Sequence, residues 1–227
     1  MPPPTQLVPT RRRLVLFDLD NTLADREAAF SRWAQAFAAQ HGLDEAGVKW
    51  LTREDEDGLR SRQDFFAVTK AYFRLPYAVE ELVCAYRHDY TSCYHRDDVS
   101  IAVVTRLRRL GLKVAVVTNG EPTQADKVRL IGIAGIVDAV CISSLVGARK
   151  PARAIFAEAA RRCAVPLSGW MVGDSPEADI RGACEAGLTS IWLDRGRTWP
   201  LNDVRPDFSV ASISGAADII ARSLTEE

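Results

Sequence analysis

Four apolar residues, Leu14-Val15-Leu16-Phe17, run straight into two carboxylates, Asp18 and Asp20, separated by Leu19. The run has no polar alternation, so it predicts a strand buried on both faces, as in a parallel sheet. After Leu23 the pattern turns helical. Phe30, Trp33, Ala34 and Phe37 recur at helical spacing, with His41-Gly42 as a stop. Further helical patterns cover 48–59, 65–73 and 79–90, with Leu75-Pro76 as a break. No strand candidate interrupts them, which predicts an all-helical insertion over residues 24–96.

From Asp97 onward, helix and strand alternate. Asp98 is a candidate cap for a helix carrying Ile101, Val104, Leu107 and Leu110 and ending at Gly111. Apolar stretches at 113–118, 140–142, 170–172 and 190–193 predict strands, with another at 208–210. Helices fill the intervals: 122–131, from Pro151 to Cys163, and from Pro176 to near Gly187. Such alternation calls for an α/β fold, a doubly wound parallel sheet covered by helices on both faces. The expected organisation is a core of residues 1–23 and 97–227, with 1–12 as a flexible tail, and the helical insertion 24–96 between its parts.

Composition narrows the function classes. A formal net charge of −1 argues against a nucleic-acid partner. No apolar run approaches the ~20 residues that span a bilayer, so no membrane role is expected. The start, Met1-Pro-Pro-Pro, lacks the apolar stretch of a secretory signal. Five cysteines without a Cys-x-x-Cys pair suggest neither a disulfide framework nor a zinc site. Buried free thiols are expected at Cys84 and Cys163, and a cytoplasmic location. Oligomeric state is not legible.

The candidate chemistry lies where predicted strands end. Asp18 and Asp20 follow the first, Thr118 ends the second, Lys150 precedes a helix, and Asp174 and Asp179 follow the fourth strand. Each has a plain structural explanation. Thr118-Asn119-Gly120 is an ordinary turn. Asp174 with Glu177 resembles a capping box, and Asp179 fits a solvent-facing acid in a first helical turn. Lys150 fits less well, because a cation before a helix N-terminus opposes the helix dipole by ~0.3–1 kcal/mol. An anionic group nearby would reverse that sign. A phosphate would do so and suits helix N-termini. Paired carboxylates such as Asp18 and Asp20 repel unless a hard cation such as magnesium offsets them.

Taken together, the chain resembles the haloacid dehalogenase superfamily, in its phosphatase-type branch with a helical C1 cap inserted after the first strand. Phe17-Asp18-Leu19-Asp20-Asn21-Thr22-Leu23 matches the first motif and Val117-Thr118-Asn119-Gly120 the second. Gly147-Ala148-Arg149-Lys150-Pro151 matches the third, and the stretch from Gly173-Asp174 to Asp179-Ile180 the fourth. The resemblance implies Asp18 as nucleophile through an aspartyl-phosphate and Asp20 as general acid and base. Thr118, Asn119 and Lys150 would bind the phosphoryl group, and Thr22 would be structural. Asp18, the backbone carbonyl of Asp20, and Asp174 would ligate Mg2+, with Asp179 supporting the metal region. The cap would close over the site and choose the leaving group. The implied substrate is a small-molecule phosphate monoester, such as a nucleoside monophosphate or a sugar phosphate.

Asp20 argues for phosphate esters over carbon–halogen bonds, because dehalogenases need no acid for an alkoxide. A phosphomutase of the same superfamily shares all four motifs and stands second. A catalytically silent phospho-binding regulatory protein is the reading from another class. A signalling receiver domain would be shorter and would carry its phospho-acceptor after the third strand. Within the insertion, Arg26, Arg32, Arg53, Arg60, Arg62 and His88 could meet an anionic leaving group, and Trp33, Phe66 or Tyr72 could stack on a base.

Overall fold

The computed structural model describes residues 13–225. The expected tail, 1–12, lies outside the described residues, as do Arg11 and Arg12. The chain divides into two compact units. Among the described residues, one contains 13–24 together with 97–225, and the other is Asp25–Arg96.

Strand β1, Leu14–Phe17, is buried at every position. The unit that follows is wholly helical: α1 (Arg26–Gln40), α2 (Glu45–Glu54), a short 3-10 turn Glu56–Gly58, α3 (Arg62–Phe73) and α4 (Val79–Ser92). The helix expected over 48–59 begins earlier and stops earlier, because Asp44 caps its start by accepting from Gly47 N–H at 3.0 Å, and Glu56 and Asp57 adopt positive φ. The helices enclose an aromatic core. Trp33 lies 4.9 Å from Tyr86 and 5.8 Å from Phe66 between ring centroids, both edge-to-face. Such pairs add ~0.5–1.5 kcal/mol each beyond the area they bury. Asp55, also buried, accepts from Arg26 Nη2 at 2.9 Å and faces Arg62 Nη2 at 2.8 Å.

The other unit continues with α5 (Asp98–Arg109), β2 (Lys113–Thr118), α6 (Gln124–Leu130), β3 (Ala139–Ile142) and a single turn α7 (Ser143–Val146). It then runs through α8 (Arg153–Arg162), β4 (Gly169–Gly173), a π-turn Pro176–Arg181, α9 (Gly182–Ala186), β5 (Thr189–Leu193), β6 (Phe208–Val210) and α10 (Ile213–Ser223). All six strands pair in parallel, in the order β3-β2-β1-β4-β5-β6. Leu14 and Leu16 share a buried cluster with Ile155, Phe156 and Ala159 of α8. Val15 and Phe17 point to the opposite face, as strand alternation requires. The α/β class and the doubly wound parallel sheet are therefore observed. Because the chain leaves β1 toward β2 and later returns to pair β4 on the other side, the order reverses at β1. Open α/β sheets form their ligand crevice at such a point.

Local corrections follow from capping. Asp97, not Asp98, caps α5 by accepting from Ser100 N–H at 2.8 Å. Ser175, not Asp174, caps the turn after β4 by accepting from Ala178 N–H at 3.2 Å. Helix α8 starts at Arg153 rather than Pro151, so Lys150 sits in a turn and not immediately before a helix. Cys163 is buried as expected, but Cys84 is exposed on α4.

Candidate active site

The carboxyl ends of β1 and β4 bring the first and fourth motifs together. Asp18 N–H donates to Val172 O at 2.9 Å, continuing the β1–β4 ladder one residue past the strand. Asp18, Asp174 and Asp179 are all buried, and each offers a carboxylate oxygen within 4.8 Å of the others. Lys150, also buried, contacts Asp18 Oδ1, and its Nζ lies 2.7 Å from Asp179 Oδ1. The solvent-facing role considered for Asp179 is thus excluded: its side chain is fully buried. Its second oxygen accepts from Ser175 N–H at 2.9 Å. Gly173 makes room for it, since a Cβ at that position would lie 2.2 Å from Asp179 Oδ2.

Burial, the largest influence, raises the pKa of Asp18 to about 7 against the opposing pull of Lys150, with Asp179 adding to the rise. Asp179 is raised as well, by burial first, despite Lys150 and the Ser175 N–H. Burial by itself would lower Lys150, but the two carboxylates outweigh it and hold the ammonium charged. The anion that Lys150 needed is therefore supplied by the protein itself. Lys150 thus answers Asp18 and Asp179, while Asp174 brings a third buried carboxylate within reach of the same point.

That donor set fits a hard divalent cation, which takes carboxylate oxygens. Among the described residues this is the one acidic group gathered closely enough to hold an ion. Asp174 is held from outside the cluster. Its Oδ2 lies 3.1 Å from Arg197 Nη2 and 3.4 Å from Arg195 Nη1, and its carbonyl accepts from Trp192 Nε1 at 3.0 Å.

The second motif supplies the other wall. Thr118 is buried at the end of β2, and its Oγ1 accepts from Gln124 Nε2 at 2.7 Å. Asn119 pins the loop that carries Lys150: its Oδ1 accepts from Lys150 N–H at 2.8 Å, and its Nδ2 donates to Lys150 O at 3.0 Å. Its side chain is thus a brace, which leaves the phosphate role expected of Asn119 to its backbone. Asp20 lies at the start of a tight turn that buries Thr22, with Leu19 O accepting from the N–H groups of Thr22, Leu23 and Ala24. Its carboxylate meets Lys127 and Gln124, which sequence reasoning missed. Arg195 and Arg197 were also missed. All four are ordinary surface residue types whose spacing alone carries no signal.

Most candidate side chains of the helical unit have structural employment. Arg26 and Arg62 serve Asp55, Arg60 pairs with Glu54 and Glu56, Arg53 lies 3.1 Å from Glu54, and Arg32 donates to Cys93 O at 2.8 Å. Trp33 and Phe66 are core residues. Tyr72 is exposed and stacks on Trp50 at 4.4 Å, and His88 is exposed.

A family model described as haloacid dehalogenase-like hydrolase matches residues 12–187. The chain belongs to that family, in its phosphatase-type branch. It is 38% identical to the phosphoserine phosphatase of Thermus thermophilus over 49% of this chain, a match that spans only 46% of that enzyme. To the glyceraldehyde 3-phosphate phosphatase of Pyrococcus abyssi it is 30% identical over 82% of each chain. The solved structure of the HAD-hydrolase YfnB from Bacillus subtilis superposes with a TM-score of 0.75 at 23% identity, covering 93% of this chain and 99% of that one. At that identity the likeness speaks for the fold.

Proposed function

We propose that the protein is a magnesium-dependent phosphatase that hydrolyses a small-molecule phosphate monoester through an aspartyl-phosphate. The observation that carries this reading is the meeting of Asp18, Asp174, Asp179 and Lys150, drawn from three distant motifs, at the switch point of the sheet. Asp18 attacks phosphorus, a P–O bond to Asp18 forms, and the ester P–O bond breaks. Asp20 gives its proton to the departing alkoxide, then takes one from the water that cleaves the aspartyl-phosphate. Thr118, the backbone of Asn119, and Lys150 receive the phosphoryl oxygens. Asp18, the carbonyl of Asp20 and Asp174 would hold Mg2+, with Asp179 fixing Lys150 and the loop after β4. The ion supplies charge neutralisation between an anionic carboxylate and an anionic phosphoryl group.

The helical unit acts as the cap that selects the leaving group. Named relatives acting on phosphoserine and glyceraldehyde 3-phosphate support small polyfunctional phosphate esters as the substrate class, alongside sugar phosphates and nucleoside monophosphates. Five free cysteines fit a reducing compartment such as the cytoplasm. The test is a panel of these monoesters, with and without Mg2+, read by phosphate release and by mass spectrometry of the Asp18 peptide. Mg2+-dependent release, with a phosphoryl group trapped on Asp18 in the wild type and absent in Asp18→Asn, is the expected result. Turnover that survives Asp18→Asn overturns the assignment, and isomerised substrate without phosphate release marks a mutase.

A further inference from the structure

We propose that Lys127 and Gln124 hold the carboxylate of Asp20 in its working orientation and are positioning residues for its proton transfers. The inference rests on the reading of Asp20 given above. The backbone of Asp20 is fixed by its turn, and its side chain, 25% exposed, takes its orientation from the groups it contacts. Lys127 Nζ lies 2.8 Å from Oδ1 and 2.7 Å from Oδ2, and Gln124 Nε2 donates to Oδ2 at 3.0 Å. Both oxygens are thereby engaged from one side.

Several features show that this contact is built rather than incidental. Lysines on helices ordinarily extend toward water, yet Lys127 is only 7% exposed. Gln124 and Lys127 are three residues apart on α6, so they share one helical face. Gln124 can fold back because residue 120 is glycine: a Cβ there would lie 2.8 Å from Gln124 Cγ. The same Gln124 amide donates to Thr118 Oγ1 at 2.7 Å. It therefore ties the acid–base carboxylate to the hydroxyl assigned to the phosphoryl group, setting the two at a fixed separation.

The test is a double-mutant cycle on the full chain, using an alkyl phosphate and p-nitrophenyl phosphate. Lys127→Met keeps the stem and removes the charge, and Lys127→Arg restores a donor. Lys127→Met should lower kcat on the alkyl ester roughly 10–100-fold, inside the ~10²–10⁴-fold range of general acid–base catalysis, and lower it less on the nitrophenyl ester. KM should stay within about 2-fold, because phosphoryl binding is untouched. Lys127→Arg should recover most of the loss. In the Asp20→Asn background, Lys127→Met should cost nothing further, since groups acting through one another are non-additive. Lys127→Gln carries the same cycle should Lys127→Met fold poorly. A slowed Asp20→Asn enzyme in which the Lys127→Met loss is additive overturns this inference alone. An unimpaired Asp20→Asn enzyme overturns the Asp20 assignment and this inference with it.

Discussion

Replacing Asp18 with asparagine should stabilise the metal-free protein at pH 8 while abolishing turnover. Burial, outweighing Lys150, raises the pKa of Asp18 from 3.8 to about 7. A carboxyl raised in the folded state keeps its proton there after the unfolded chain has lost its own. Between about pH 4 and 7 the folded state therefore binds more protons, and stability falls as pH rises, levelling off above 7. At ~1.4 kcal/mol per pKa unit, ionised Asp18 costs the metal-free fold on the order of 4 kcal/mol. Asparagine mimics the protonated form in shape and escapes that cost, and Lys150 keeps Asp179 as a partner. For a chain of this size ~2–4 °C accompanies each kcal/mol, so Asp18→Asn should melt roughly 8–16 °C above wild type at pH 8 with EDTA. The gap should shrink toward zero near pH 4. Thermal melting across pH 4–8 checks this. A variant melting at or below wild type at pH 8, or a gap that does not change with pH, refutes the electrostatic reading.

Three further outcomes are expected. Saturating Mg2+ should raise the melting temperature of wild type by an amount equivalent to about 2.7 kcal/mol at 100 times its Kd and should do little for Asp18→Asn; calorimetric titration measures both. Gly173→Ala should drive its Cβ into Asp179 Oδ2, costing ~1–3 kcal/mol by overpacking and weakening Mg2+ binding, read by melting and titration on one sample. In the helical unit, Asp55→Ala takes from the buried Arg26 its nearer carboxylate, leaving Asp57 at 3.7 Å, and removes a partner of Arg62. Breaking such a buried pair should cost ~3–5 kcal/mol by urea denaturation, and a loss under ~1 kcal/mol would show that the pair is dispensable.

The sequence by itself determined much of this protein. Uninterrupted apolar runs such as Leu14–Phe17 mark strands buried on both faces, and alternation with helical periodicity then leaves a parallel, doubly wound sheet as the solution. Because such sheets gather ligands at strand ends, the places of Asp18, Thr118 and Asp174 were legible from where the apolar runs stop. What only the tertiary structure decided were the partnerships among charges. Lys150 was read against a helix dipole, but it lies in a turn and answers two carboxylates from other motifs. Asp179 admits two readings from sequence, a surface acid or a support of the metal region, and its burial behind Gly173 removes the first. Lys127 and Arg197 carry no sequence signal at all, because whether a long cationic side chain turns inward depends on which carboxylates the crossovers set within its reach.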